Sequence, residues 1–236
     1  MKTHRIQRAA SACFFAFAAF FSSCRSTQAI VSTHSGRLHA DWLEADIQYP
    51  SFEGYDELNK VIADYVESDY RDYKLQNEAD WKQASEFRAR IDPEAAPMRF
   101  AYTVAPERAF EARRYINVVL SLYEFTGGAH GSTKLKSFVY DKKTRSLIPN
   151  PTALGFSYDY LAEQCRAWLD AHVSIADQSK AALSDRKQWI EAGSAPKESN
   201  YTVFAYDGKI LTVYFAEYQV APYSEGIFEV PVTPAK

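Results

Sequence analysis

Hydrophobic and polar residues along this chain change rhythm several times, and each change marks an element. Residues 37–49 have strand character and end at Pro50, after which Tyr49-Pro-Ser-Phe-Glu-Gly-Tyr55 reads as a turn. From Asp56, a candidate N-cap, Leu58, Val61, Ile62, Tyr65, Val66, Asp69, Tyr70 and Tyr73 recur at helical spacing, which predicts an amphipathic helix with one face on a sheet. Residues 86–97 are charged and carry Pro93 and Pro97, and are expected to form a loop. Met98, Phe100, Tyr102 and Val104 then alternate with polar or small residues as a half-buried strand. Pro106-Glu-Arg-Ala109 reads as a connection. In the next strand Ile116, Val118, Leu120 and Leu122 share one face, and Tyr115, Asn117 and Val119 lie on the other, so a central position covered on both faces is expected.

A glycine-rich turn follows, with Gly127, Gly128 and Gly131 around His130, and a strand over residues 135–140. Glycine at such density points to backbone at positive φ or to a close approach of another surface. A second helix is expected from Pro149-Asn-Pro-Thr152, with Leu161, Cys165, Trp168, Leu169 and His172 on one face. This makes Cys165 a buried small apolar residue and His172 a C-terminal cap or core edge. A short helix over 184–192 ends at Gly193. Residues 201–206 and 209–215 flank Asp207-Gly208, a type I′ hairpin signal. An aromatic loop over 217–226 contains Tyr218, Pro222, Tyr223 and Gly226. The last strand, with Phe228 and Val230, is expected to stop at Pro231. The order sheet, helix, sheet occurs twice, which predicts an α+β fold of two related halves, each a long amphipathic helix on a mostly antiparallel sheet.

The first residues change the picture of where the chain works. Met1 to Arg8 is basic, residues 9–21 are uncharged and almost all alanine and phenylalanine, and Phe21-Ser-Ser-Cys24 closes the run. That is the pattern of a secretory signal, too short to span a bilayer, which takes ~20 residues. The ending resembles a bacterial lipobox, with Phe21 where leucine is usual and Cys24 as the residue that receives the lipid. The expected organisation is a signal over 1–23, a polar tether over 24–36, an N-terminal half over 37–126 and a C-terminal half over 127–236. Loss of Lys2, Arg5 and Arg8 with the signal takes the formal charge from −3 to −6. An acidic chain with scattered lysines is a poor nucleic-acid binder. With Cys13 in the signal and Cys24 acylated, Cys165 has no intrachain partner, so no disulfide framework is expected. The core must then come from side chains, and 16 Tyr, 15 Phe and 4 Trp supply the area.

Candidate chemistry is sparse. No two histidines stand at i, i+3 or i, i+4 and no Cys-x-x-Cys occurs, so no metal or other cofactor is expected; His130, Glu124 and Asp141 are the one set that could assemble a metal site. No Gly-x-Ser-x-Gly elbow appears. The glycine turn lacks phosphate-loop spacing and leads into a strand rather than a helix N-terminus. Glu124, Glu217 and Glu225 lie near the two unusual loops without forming an evident acid pair. The chain is therefore expected not to be an enzyme. The glycine turn reads as a sharp reversal tied by His130, or as a direct ligand contact. Tyr218, Pro222 and Tyr223 read as a loop packed by its own rings, or as a protein-binding tip, since rigid aromatics give contact area at low entropy cost.

Several stretches together resemble one family. They are Tyr49-Pro-Ser-Phe52, Leu58-Asn59, Phe125-Thr-Gly-Gly-Ala-His-Gly-Ser-Thr133, Val139-Tyr-Asp-Lys-Lys-Thr-Arg145, residues 204–215, and Tyr218-Gln-Val-Ala-Pro-Tyr-Ser-Glu-Gly226. These are similar to paired domains of unknown function in the extracytoplasmic region of lysozyme-responsive anti-sigma factors and in the non-catalytic part of some peptidoglycan deacetylases. The resemblance spans residues 38–232. It implies an α+β fold of two halves, a setting at the cell wall and, in the anti-sigma branch, direct binding of lysozyme. The anti-sigma proteins carry a cytosolic segment and a membrane span before this region, where a lipid-type signal stands here. The deacetylases carry Asp and His metal motifs that this sequence lacks. The expectation is an exported, lipid-anchored binding module of the envelope. Its partner would be a lysozyme-like muramidase, bound through His130, Tyr218, Pro222 and Tyr223 on loops shaped by Gly127, Gly128, Gly131 and Gly226. Peptidoglycan binding is the alternative, and a wall hydrolase or deacetylase a third reading.

Overall fold

The computed structural model describes residues 31–94, 98–173 and 179–235. The expectations for the signal, Cys24 and residues 24–30 of the tether lie outside them. Among the described residues there are two sheets and three α-helices. The larger sheet runs in the order β1 (Val31–His39), β2 (Leu43–Phe52), β3 (Phe100–Glu111), β4 (Tyr115–Phe125), β5 (Ser132–Asp141) and β6 (Ser146–Leu147). All neighbours are antiparallel except β2 and β3, which the helix α1 (Asp56–Ile91) joins as a parallel pair. Where a single strand was expected over 37–49 there are two. Residues 31–36, expected in the tether, pair with β2 as the outer strand of the sheet.

Leu58, Ile62, Val66 and Tyr73 are the buried face of α1, as the spacing requires. The helix begins one residue earlier than expected, at Asp56 itself. Tyr55 holds the cap position with no side-chain bond, and Asp56 and Glu57 lie in the first turn, where the helix dipole favours negative charge. Asn59 ties the start down instead: its amide accepts from Phe52 N and donates to Phe52 O, both at 2.8 Å. The loop expected over 86–97 is corrected, because α1 continues to Ile91. The charges that suggested a loop include an i,i+4 pair, Arg90 with Glu86 at 3.7 Å, which continues the pattern of Lys82 with Glu78 at 3.1 Å earlier in α1 and suits a solvated helix. The expected connection at Pro106 is likewise part of β3, where the register shifts between Pro106 and Arg108. A bulge accommodates a residue without an N–H at no cost to the ladder.

The central strand β4 is buried on both faces. Ile116, Val118, Leu120 and Leu122 face α1, while Tyr115 and Val119 face the C-terminal half. After β6 that half continues with a 3-10 turn at Pro151–Leu154, where a helix start was expected; Gly155, at φ 89°, ends it. α2 (Tyr158–His172) starts at Ser157, whose hydroxyl accepts from Tyr160 N. α3 (Lys180–Gly193) follows, then the second sheet, β7 (Phe204–Tyr206), β8 (Leu211–Phe215) and β9 (Phe228–Val232), all antiparallel. The β7–β8 loop has four residues rather than two. Tyr206 pairs with Leu211, and the Asp207 carboxylate accepts from Lys209 N and Ile210 N, both at 2.7 Å. Pro231 does not stop β9; it sits inside this edge strand opposite Thr212.

Two side chains of the large sheet dock the small one. Asn117, buried on β4, donates to Tyr206 O and accepts from Tyr206 N. Ser137 on β5 accepts from Phe204 N and donates to Thr202 O. Both satisfy backbone groups of β7, and Ser137 also that of Thr202 just before it, on the side where no strand pairs them. Cys165 is fully buried among Leu161, Leu169, Ile190 and Val213, and burial pushes its thiol up to about 12. His172 is exposed; its Nδ1 donates to Trp168 O at 2.7 Å and its ring stacks on Trp168, so it is a surface cap and not a core edge.

Candidate functional site

The turn at 126–131 joins β4 to β5 at one end of the large sheet. Gly127 and Gly128 are at φ 94° and 98°, a region L side chains rarely adopt. Gly131 is needed for another reason. A Cβ there would collide with the Glu124 carbonyl oxygen and lie 2.5 Å from the ring of Tyr123. The turn is thereby drawn tight against β4, and His130 is left at its tip with the ring exposed. His130 Nδ1 donates to Gly131 O at 2.8 Å, which leaves Nε2 an acceptor in the neutral ring.

The aromatic loop comes to this same place. Tyr223 stacks on His130 at 4.2 Å between centroids and 18° between planes. Tyr218, 49% exposed, directs its hydroxyl at His130 Nε2 over 3.4 Å and lies 5.7 Å from the ring of Tyr223. The structure thus brings together His130, Tyr218 and Tyr223 into one ring cluster. Pro222 is exposed on the same loop, and Gly226, at φ 73°, closes the 3-10 turn that carries Tyr223.

Residues missed in the sequence hold the loop in place. Tyr218 is at φ 65°, a left-handed conformation that costs a non-glycine residue ~1–3 kcal/mol. It persists because α3 and Asn200 hold its carbonyl and the residue that follows it. Trp189 Nε1 donates to Tyr218 O at 2.6 Å, and Gln219 Nε2 donates to the carbonyls of Gly193 and Asn200, both at 3.1 Å. Gly193, which reads in sequence as a simple helix stop, has the Gln219 carbonyl packed where a Cβ would be. A tryptophan in a polar helix was the one sequence signal for this contact. Behind the loop, Val173, Ala182, Arg186, Trp189, Val220 and Pro222 line a depression of ≈ 280 Å³.

Beneath the rings, Thr133 donates to Glu217 Oε1 at 3.4 Å, while Glu217 Oε2 is buried without a hydrogen-bond partner. Burial, and then the Glu217 carboxylate, raise the Tyr223 phenol above its ordinary value. The other acids near the loops are engaged or remote. Glu124 pairs with Lys134, and Glu225 is exposed on the 3-10 turn. The metal set considered from sequence does not assemble. Glu124 and Asp141 pair with β5 and β4 at opposite ends of the hairpin, and Asp141 is taken by Arg114. Among the described residues no group of three or more His, Cys, Asp or Glu could hold a metal ion.

Residues 38–133 match the family model described as Deacetylase PdaC, and residues 147–234 match that of a protein of unknown function, DUF3298. The peptidoglycan-N-acetylmuramic acid deacetylase PdaC of Bacillus subtilis is 24% identical over 175 residues, which cover 74% of this chain and 34% of that protein. The chain thus spans about a third of the length of the curated relative it matches. Two crystal structures are similar to it. A DUF3298-family member from Bacteroides fragilis is 17% identical, with 87% of this chain and 91% of that one covered and a TM-score of 0.48. A DUF3298-family protein from Pseudomonas aeruginosa is 15% identical, with 86% and 88% covered and a TM-score of 0.42. The chain carries a segment that matches the PdaC model followed by one that matches the DUF3298 model, the arrangement implied by the resemblance seen in the sequence.

Proposed function

We propose that this chain is a non-catalytic binding module of the cell envelope, and that the His130–Tyr218–Tyr223 cluster is where it holds a protein partner, a basic lysozyme-like muramidase. One observation carries this reading: the two unusual loops, 88 residues apart at His130 and Tyr218, meet in a single exposed ring cluster. An exposed tyrosine with a half-buried one against it, beside an apolar depression that takes an anchoring side chain, is the make-up of an interaction hot spot. The acidic chain complements a basic partner. The peptidoglycan deacetylase among the relatives supports a setting at the wall.

Calorimetric titration of the chain with lysozyme tests the reading. Saturable binding is expected, weakened by about tenfold or more in Tyr218→Ala and Tyr223→Ala. No heat at ~tens of micromolar at low salt excludes lysozyme as the partner. Cleavage of wall material that disappears in His130→Ala would replace the binding reading with a hydrolase.

The proposal includes an anchor at Cys24, motivated by the basic start, the apolar run and Ser-Ser-Cys24. Metabolic labelling with a fatty-acid analogue is expected to mark the wild-type chain and not Cys24→Ser. Equal labelling of the two would remove the anchor from the proposal.

A further inference from the structure

α1 leaves part of the large sheet uncovered. Leu43, Ala45, Tyr102, Leu120 and Leu122 are buried beneath it, whereas residues 33–40 of β1 and its turn are all exposed. His34, Gly36 and Leu38 face the same side as their partners Tyr49, Ile47 and Ala45, so β1 forms a lip beyond the flank of the helix. Between lip and helix runs an open groove of ≈ 320 Å³, lined by His34, Gly36, Leu38, Tyr49, Glu67 and Tyr70 among others.

The groove is built for flat contact. His34 stacks on Tyr49 at 5.2 Å and 22°, which makes a continuous aromatic wall from two strands. Tyr70 supplies the other wall and is braced by Tyr102 at 5.3 Å and by Lys74 over its ring. Gly36 keeps the middle open. Glycine inside a strand costs stability relative to any residue with a side chain. Its φ is not in the left-handed region, and a Cβ there would meet nothing within 4 Å, so neither backbone nor crowding demands it. Glu67 is the one charged side chain among the described lining residues.

We propose that this groove binds a neutral saccharide, a short stretch of pyranose chain. Pyranose rings offer a C–H face to the three rings and hydroxyl edges to Ser35, Glu67 and water. At this volume the groove seats about one or two sugar units. An extended peptide fits less well. The groove lies on the face of the sheet, whereas the backbone groups that β1 leaves unpaired point outward along its free edge, so a peptide lying in the groove gains no ladder. An anionic ligand would meet Glu67 and no lining cation. This site is separate from the ring cluster and does not depend on the reading given to it.

The full chain is titrated with N-acetylchitotetraose by calorimetry and sedimented with isolated sacculi. Saturable binding is expected. Gly36→Leu, which fills the groove, lowers affinity by about tenfold or more with unchanged circular dichroism and melting. Glu67→Leu, an exposed change on the helical wall, weakens binding in the same direction and serves if Gly36→Leu folds poorly. Tyr218→Ala binds the sugar as the wild type does. The proposal is overturned by absence of saccharide binding at millimolar concentration, by full binding in the well-folded groove variants, or by loss of sugar binding in Tyr218→Ala. Saturable binding of a neutral hexapeptide that Gly36→Leu abolishes would assign the groove to peptide and overturn it as well.

Discussion

Gly193→Ala is expected to destabilise the protein by about 3 kcal/mol and to dismantle the ring cluster without touching it. The added methyl would stand against the Gln219 carbonyl oxygen, 2.7 Å from its carbon and 2.9 Å from Val220 Cγ1. The neighbour is backbone, so no side-chain rotation relieves the clash. Either α3 or the loop over 216–220 must move. Movement of the loop breaks the bonds from Trp189 to Tyr218 O and from Gln219 to Gly193 O, the contacts that hold Tyr218 at φ 65°. In a chain of this size the loss corresponds to a fall in Tm of about 6–12 °C. Binding at the ring cluster should fall together with it. Gly36→Ala is the control, because a Cβ at Gly36 meets nothing within 4 Å; there a gain of about 0.5 kcal/mol is expected from the unfolded chain's lost freedom. Differential scanning calorimetry of both variants decides the matter. A Gly193→Ala protein that melts within a degree or two of the wild type would show that close packing against α3 is not what fixes the loop.

The second large effect is on acid stability. Asp141 is 2% exposed and ends β5. Its two oxygens accept from Arg114 Nε at 3.0 Å and Nη2 at 2.6 Å, and Oδ1 also accepts from Lys143 N at 2.9 Å. The hydrogen bonds from Arg114, opposed by burial and helped by the Lys143 amide, hold the carboxyl at about 2. A folded-state pKa below the unfolded one contributes stability above the unfolded value, near pH 4, and loses it as pH falls toward 2. The contribution is about 2 kcal/mol, reduced by the half-exposed position of Arg114. Asp141→Asn should therefore be less stable than the wild type at neutral pH by a comparable amount. It should also show a shallower fall in stability between pH 4 and pH 2.5, where the wild type declines. Urea titrations across that range read the difference directly. Parallel curves for the two proteins would mean that Asp141 does not set the acid limit.

The turn held by Asp141 also shows how far sequence reading reaches. Asp141-Lys-Lys-Thr-Arg145 reads as a tight turn, and it is one: Arg145 N donates to Asp141 O and Arg145 adopts φ 54°. The partner that makes Asp141 matter, Arg114, lies 27 residues away. It is adjacent only because β4 and β5 pair from Tyr115 to Asp141.

Periodicity by itself determined which segments fold and which faces they bury, because 3.6-residue and two-residue patterns are local consequences of backbone geometry. The buried face of α1, the double burial of β4 and the burial of Cys165 were all present in it. It misled where one local feature serves two structures. Charge along residues 86–91 suits a solvated helix as well as a loop, and Pro106 and Pro231 sit comfortably at a bulge and an edge strand. Only the tertiary structure decided that the 126–131 turn and the 217–226 loop share one end of the molecule. It also decided that Gly193 is a packing requirement, and that β1 overhangs α1 to leave a groove around Gly36. The physical reason is that periodicity records how a segment meets the core, while sheet order and helix docking set which surfaces meet each other. Those contacts join residues tens of positions apart that carry no shared local signal.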